Sequence, residues 1–167
     1  MPTKKQDQEF IRRCIELSEK SLEKGDAPFG ALIVRDGKII AQASNNAAGK
    51  IYEHAEVLAL DKAHKHLKTS HLKDCTLYSN CEPCPMCSFM AREYKVSRVV
   101  FALPSPFMGG HTKWNILGNK KLSQFKPYFD APPEVISGIL EKEAKKIFNK
   151  TPLWMFGSEI KPPSKLT

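Results

Sequence analysis

His54-Ala55-Glu56 and Pro83-Cys84-Pro85-Met86-Cys87 are the two stretches from which the rest of the chain is read. Cys84 and Cys87 are three apart, so at the start of a helix both sulfurs lie on one face and can grip one ion. A helix N-terminus favours negative charge, which lowers a thiol's pKa and supplies the thiolate a metal needs. His54 brings an imidazole from 30 positions upstream of Cys84, on a separate element, so that the ligands can surround the ion. Three protein ligands leave a fourth tetrahedral position for water, the pattern of a catalytic zinc site. Two thiolates and an imidazole favour zinc over metals that prefer oxygen.

Glu56 follows His54 by two residues, about 200° away on an ideal helix, and so is poorly placed as a fourth ligand. It can instead reach the water if His54 lies at the first turn. A carboxylate beside a zinc-acidified water takes its proton and passes it to a leaving amine. A lone C-x-x-C also occurs in structural zinc knuckles and redox pairs. A structural site would need a fourth ligand, for which Cys81 is the only nearby candidate. Pro83 and Pro85 shape a tight helix start that a solvated redox loop does not require. The catalytic reading is therefore preferred.

At 167 residues the chain reads as one domain over 1–160, with a mobile tail over 161–167. Its 41% apolar and 26% charged residues are ordinary for a globular protein. No apolar run is long enough to span a membrane, and the first residues lack an apolar secretory core. Five cysteines, two of them assigned to metal, predict a reducing cytoplasm without a disulfide framework, Cys14 and Cys75 being buried. The net charge of +8 suits a nucleic acid or a phosphorylated substrate, although the lysines are scattered.

Along the chain, a helix is expected over about 7–24, ended by Gly25. Two strands, 30–35 and 38–43, are joined by Asp36-Gly37, which supplies the positive φ angles of a two-residue hairpin. A helix over about 54–67, a strand at 75–79, a helix from Cys84 to about Glu93 and a strand at 97–102 follow. Strands alternating with helices predict an α/β fold with a partly parallel sheet between helix layers. The Pro- and Gly-rich segment 103–129 is too broken for long elements, with a short helical turn expected at Trp114–Leu117. An amphipathic helix is expected over 134–149, with Val135, Ile136, Ile139, Leu140, Ala144 and Ile147 on its core stripe. Leu153, Trp154 and Phe156 suggest that the terminal segment packs back.

Pro28-Phe29-Gly30-Ala31, Asn45-Asn46, His54-Ala55-Glu56 and Cys81-Glu82-Pro83-Cys84-Pro85-Met86-Cys87 together resemble the cytidine deaminase superfamily, in its branch of guanine, nucleoside and tRNA adenosine deaminases. The resemblance covers roughly Phe10 to Ala102 and loosens beyond. It implies a three-layer α/β/α sandwich with a central mixed sheet of about five strands, usually in a homodimer. It implies zinc on His54, Cys84 and Cys87, with Glu56 as proton shuttle. It also implies that Asn45 hydrogen-bonds the base, that Phe29 helps line the pocket, and that backbone groups at Ala55 and near Ser79-Asn80 touch the substrate. Asn45 as a turn residue and Phe29 as plain core remain open.

Pro28-Phe29-Gly30 and the cysteine motif look closer to the guanine deaminases, so the expected reaction is deamination of a free purine base or nucleoside. A tRNA adenosine deaminase, favoured by the basic charge, is the alternative; a non-catalytic zinc-stabilised nucleotide-binding module is a second. The segment 103–129 holds no Asp or Glu, whereas guanine presents donors that a carboxylate would receive. Glu93 could restore that acceptor if it faces the pocket, an exposed helix-end glutamate being the plainer reading. Phe107 or Trp114 could stack on a base, and His111 or Lys113 could meet ribose or phosphate.

Overall fold

The computed structural model describes residues 1–156 of the chain. The unbroken apolar run of Gly30–Arg35 forms β1, buried on both faces. Asp36 and Gly37, at φ 49° and 71°, turn it into β2, Lys38–Ser44, as the dipeptide predicts. β3 (Cys75–Cys81) pairs antiparallel with the other side of β1; β4 (Arg98–Leu103) and β5 (Glu134–Ile136) then add in parallel. The result is a five-stranded mixed sheet in the order β2-β1-β3-β4-β5.

Alternating side chains split the core in two. Ile33, Leu77, Val99 and Phe101 meet α2 (Ala55–Leu67) and α3 (Pro85–Glu93), whereas Leu32, Tyr78, Val100 and Ala102 meet α1 (Lys4–Glu23) and α4 (Glu141–Phe148). This is the expected three-layer α/β/α sandwich. α1 starts three residues before the expected 7, because Thr3 and Gln6 cap it reciprocally.

The helix expected over 134–149 is a strand, a turn and a shorter helix. Val135 and Ile136 pair with Val99 and Val100 in β5. Gly138 and Leu140, at φ 81° and 57°, then break the chain before α4 begins at Glu141. The apolar spacing satisfied a helical period, but a β-branched pair at an open sheet edge is better used as a strand.

Between Pro104 and Asp130 the described helical structure is one 3-10 turn, Lys121–Gln124; Trp114–Leu117 forms turns and not the expected helix. This segment is held by Arg92, a buried guanidinium that donates to the carbonyls of Ile116, Leu117, Asn119 and Asp130 and to Ser123 Oγ. Farther on, Phe156 packs against Phe29 and Phe148, at 5.0 and 5.8 Å between ring centroids, so the terminal segment does fold back. The expected tail, 161–167, lies outside the described residues, as does the boundary at 160. No helix among the described residues is long and apolar enough to cross a membrane.

Candidate active site

His54 and Cys84 are the residues immediately before α2 and α3, both in extended backbone. Each helix thus starts by presenting a ligand, and Pro85 at the first position of α3 sets the direction of the cysteine turn. His54 Nδ1 lies 3.5 Å from each of the Cys84 and Cys87 sulfurs, which are 3.6 Å apart. Tetrahedral zinc with bonds of about 2.3 Å to sulfur and about 2.0 Å to nitrogen needs S–S and S–N edges of about 3.8 and 3.5 Å. The triangle is therefore already the size of a zinc face, and its two sulfurs and one imidazole are the donors zinc prefers. Cys81, weighed above as a fourth ligand, is buried and not part of this group.

Contact with the Cys87 sulfur and with His54 pushes Cys84 down to about 4, while Cys84, burial and Glu56 push Cys87 up. A cation entering here displaces the remaining thiol proton.

Glu56 is 3% exposed, at the first turn of α2. One carboxyl oxygen accepts from Ser79 Oγ at 3.1 Å; the other lies 3.6 Å from the Cys87 sulfur. Burial, reinforced by the negative charge on Cys84, raises its pKa. A carboxyl poised this way exchanges protons more readily than an exposed glutamate.

A cleft of about 250 Å³ opens over this group, lined by Phe29, Asn45, His54, Glu56, Glu82, Cys84 and the terminal-segment residues Leu153 and Phe156 among others. Phe29 and Asn45 both line this cleft. Asn45 is also built into the scaffold: its oxygen accepts from Ala55 N and its amide donates to Asp26. Ala55 is fully buried with its N–H engaged by Asn45, and Ser79 is fully buried against Glu56. Both sit behind the cleft wall and orient what faces it.

Trp114 is 55% exposed beside Lys113, outside the cleft lining. Glu93 lines a separate surface pocket with His64, His71, Met90 and Tyr128, so it does not supply the acceptor considered above.

The sequence reading gives Asp26 and Glu82 no role and expects Asn80 only to offer its backbone to substrate. Asp26 accepts from Asn45, Ala48 N and Ala27 N; against its burial, these bonds hold its carboxyl below the usual range. Asn80 clamps Gly30 N and Pro28 O, fixing the backbone on both sides of Phe29. Glu82, inside the cysteine motif, is the second carboxylate of the cleft. Its place next to Pro83 was the available signal.

Residues 4–103 match the family described as the cytidine and deoxycytidylate deaminase zinc-binding region. The tRNA-specific adenosine deaminase of Bacillus subtilis is 38% identical over 141 residues, 83% of each chain. The guanine deaminase of the same organism is 47% identical over 81 residues, about half of each chain. Among solved structures, one from biochemical and structural studies of A-to-I editing by tRNA:A34 deaminases superposes with a TM-score of 0.74 at 25% identity, covering 83% of this chain and 98% of that one.

Proposed function

Because the chain belongs to the cytidine and deoxycytidylate deaminase zinc-binding family, we propose that it hydrolyses the exocyclic amine of an adenosine presented in an RNA loop, leaving inosine and releasing ammonia. His54, Cys84 and Cys87 would hold zinc, which would supply an acidified water. Glu56 takes the proton of the attacking water on its carboxyl group. It then delivers that proton to the departing amine, its burial against the metal face keeping it within reach of both. Ser79 keeps the carboxyl group turned toward the metal face.

The observation that carries the choice of base is the state of the carboxylates in the cleft. Among the described lining residues they are Glu56 and Glu82. Glu56 is needed for the proton. Glu82 already accepts from Ser105 N, His111 N, Thr112 N and Thr112 Oγ1, which fills its four lone-pair positions. Among the described residues, guanine's N1–H and 2-amino donors meet no free carboxylate in the cleft, whereas adenine carries no such donor pair. This supports the tRNA adenosine reading over the guanine-like one, as does the match to a tRNA-specific adenosine deaminase over most of the chain.

RNA as the carrier of the base is supported by the segment 103–129, which holds Lys113, Lys120, Lys121 and Lys126 and no acid. Phe107, Trp114, Phe125 and Tyr128 in the same segment are exposed. Lysines interleaved with exposed rings suit phosphates and unstacked bases. A guanine deaminase is the second reading, favoured by the higher identity over the 81 residues that match that enzyme.

Ammonia release from zinc-loaded protein tests both, with a tRNA anticodon stem-loop set against guanine, adenine and their nucleosides. Turnover of the stem-loop alone is expected. Turnover of guanine with a silent stem-loop would exchange the two readings. Glu56→Ala is expected to keep its zinc and abolish turnover.

A further inference from the structure

Glu82 is 2% exposed and sits between the end of β3 and the cysteine turn. Its backbone N–H donates to Leu103 O at 2.8 Å, joining it to the end of β4. Its side chain does something different: it collects the loop that follows. Oε2 accepts from Ser105 N at 2.7 Å and from Thr112 Oγ1 at 2.8 Å. Oε1 accepts from His111 N at 2.9 Å and from Thr112 N at 2.6 Å.

The loop is shaped to reach this carboxylate. A Cβ on Gly109 would stand 2.2 Å from Glu82 Oε1, and one on Gly110 would stand 2.0 Å from Ser88 Oγ. Gly110 N also donates to Pro83 O at 2.8 Å, so the loop is strapped to the cysteine turn from two adjacent residues. From there the connection continues to the cleft. Ser105 Oγ donates to Met155 O at 3.4 Å, and Met155 lies between Leu153 and Phe156, the apolar residues of the cleft wall.

We propose that Glu82 is a positioning residue for substrate: it fixes the 105–112 loop, and through Ser105 the 153–156 wall, against the turn that carries Cys84 and Cys87. The proposal rests on the reading of this cleft as a deaminase site acting on RNA. On that reading, the 153–156 wall, which lines the cleft, and the 105–112 loop tied to it meet the RNA away from the reacting amine, so their misplacement removes binding common to ground and transition states. That raises KM and spares kcat.

The test compares wild type, Glu82→Gln, Gly109→Ala and the double variant, all zinc-loaded, on the anticodon stem-loop. Glu82→Gln puts an amide NH₂ among backbone donors; Gly109→Ala drives a methyl onto the intact carboxylate. Each is expected to raise KM about tenfold, the scale on which supporting hydrogen bonds act, with kcat within about threefold and zinc at one per chain. The double variant is expected to do little more than either alone, because both break one contact. Backbone-amide exchange at Ser105, His111 and Thr112 is expected to speed up in both single variants. If Glu82→Gln does not unfold cooperatively, Gly109→Ala carries the test. An unchanged KM alongside faster exchange would overturn the proposal, and so would loss of zinc from either single variant. A wild type that is silent on the stem-loop overturns the RNA reading instead, and the proposal with it.

Discussion

Ser79 Oγ donates to Glu56 Oε1 across 3.1 Å, and both residues are buried. The bond runs from the core of β3 to the first turn of α2, so the sheet fixes which way the Glu56 carboxyl faces. Ser79→Ala removes the bond with little change of volume. It is expected to lower kcat about 10- to 100-fold with zinc content unchanged, read by steady-state kinetics and metal analysis. Loss of zinc in that variant would move Ser79 from orienting Glu56 to supporting the metal ligands.

Metal removal should cost fold as well as activity. Without zinc, the Cys84–Cys87 pair retains one proton, and α2 and α3 lose the cross-link at their starts. Chelation is expected to lower the melting temperature and to abolish turnover, both recovered on adding zinc. Cys87→Ser is expected to show the chelated melting temperature whether or not zinc is present. A melting curve indifferent to chelator would remove the metal from the stability of the fold.

A buried ion pair far from the cleft should set the acid limit. Asp7 accepts from Arg98 through both oxygens, at 2.9 and 2.8 Å, and from the Tyr78 hydroxyl at 2.6 Å. Burial alone would raise the Asp7 pKa, but these bonds outweigh it and hold it below the ordinary value of 3.8. The folded state therefore binds this proton more weakly than the unfolded chain. The stabilisation is complete above the unfolded pKa and is lost as pH falls through the depressed one. Asp7→Asn removes the buried one of Arg98's two carboxylate partners, Glu134 remaining 3.0 Å from its Nε, and is expected to cost about 2 kcal/mol at pH 7. Denaturant unfolding should show wild type losing more stability than the variant between pH 4 and 3. Equal losses would mean that Asp7 is not the acid-sensitive group.

Arg92 offers a second, separable effect. Arg92→Met fills similar space but removes a donor from five acceptors in the 116–130 segment, of which Ile116 O and Asp130 O keep another. Proteolysis within 116–130 at native temperature is expected in the variant and not in wild type. Arg92→Lys should rescue only in part, since one ammonium cannot span carbonyls that the planar fork reaches together. Full protection in Arg92→Met would show that the segment is held by its other contacts.

The metal group was legible because one short run of sequence, together with His54, carries it, and because ligand chemistry admits few residue types. The hairpin was legible for a similar reason: Asp36-Gly37 is local and its backbone requirement is specific. What stayed hidden depends on partners remote in sequence. Val135, Ile136, Ile139 and Leu140 fall at helical spacing, and only the open edge of β4 turns the first two into a strand. Glu82 binds chiefly peptide groups 23 to 30 residues away, which have no side-chain signature. Glu93 looked eligible until α3 was seen to turn it toward a different pocket.

The segment between β4 and β5 is gripped at its two ends by opposite charges that address mainly its peptide groups. Glu82 takes N–H groups near Ser105 and Thr112, and Arg92 takes C=O groups from Ile116 to Asp130; only Thr112 and Ser123 contribute side chains. Every residue type except proline offers the same N–H and C=O. Gly109 and Gly110, whose neighbours leave no room for a Cβ, and the buried Leu117 and Phe129 are fixed by their surroundings, but the exposed side chains here can be exchanged without altering the path of the chain. Such a frame lets selection rewrite what the enzyme recognises while the hydrolytic centre beneath it stays the same.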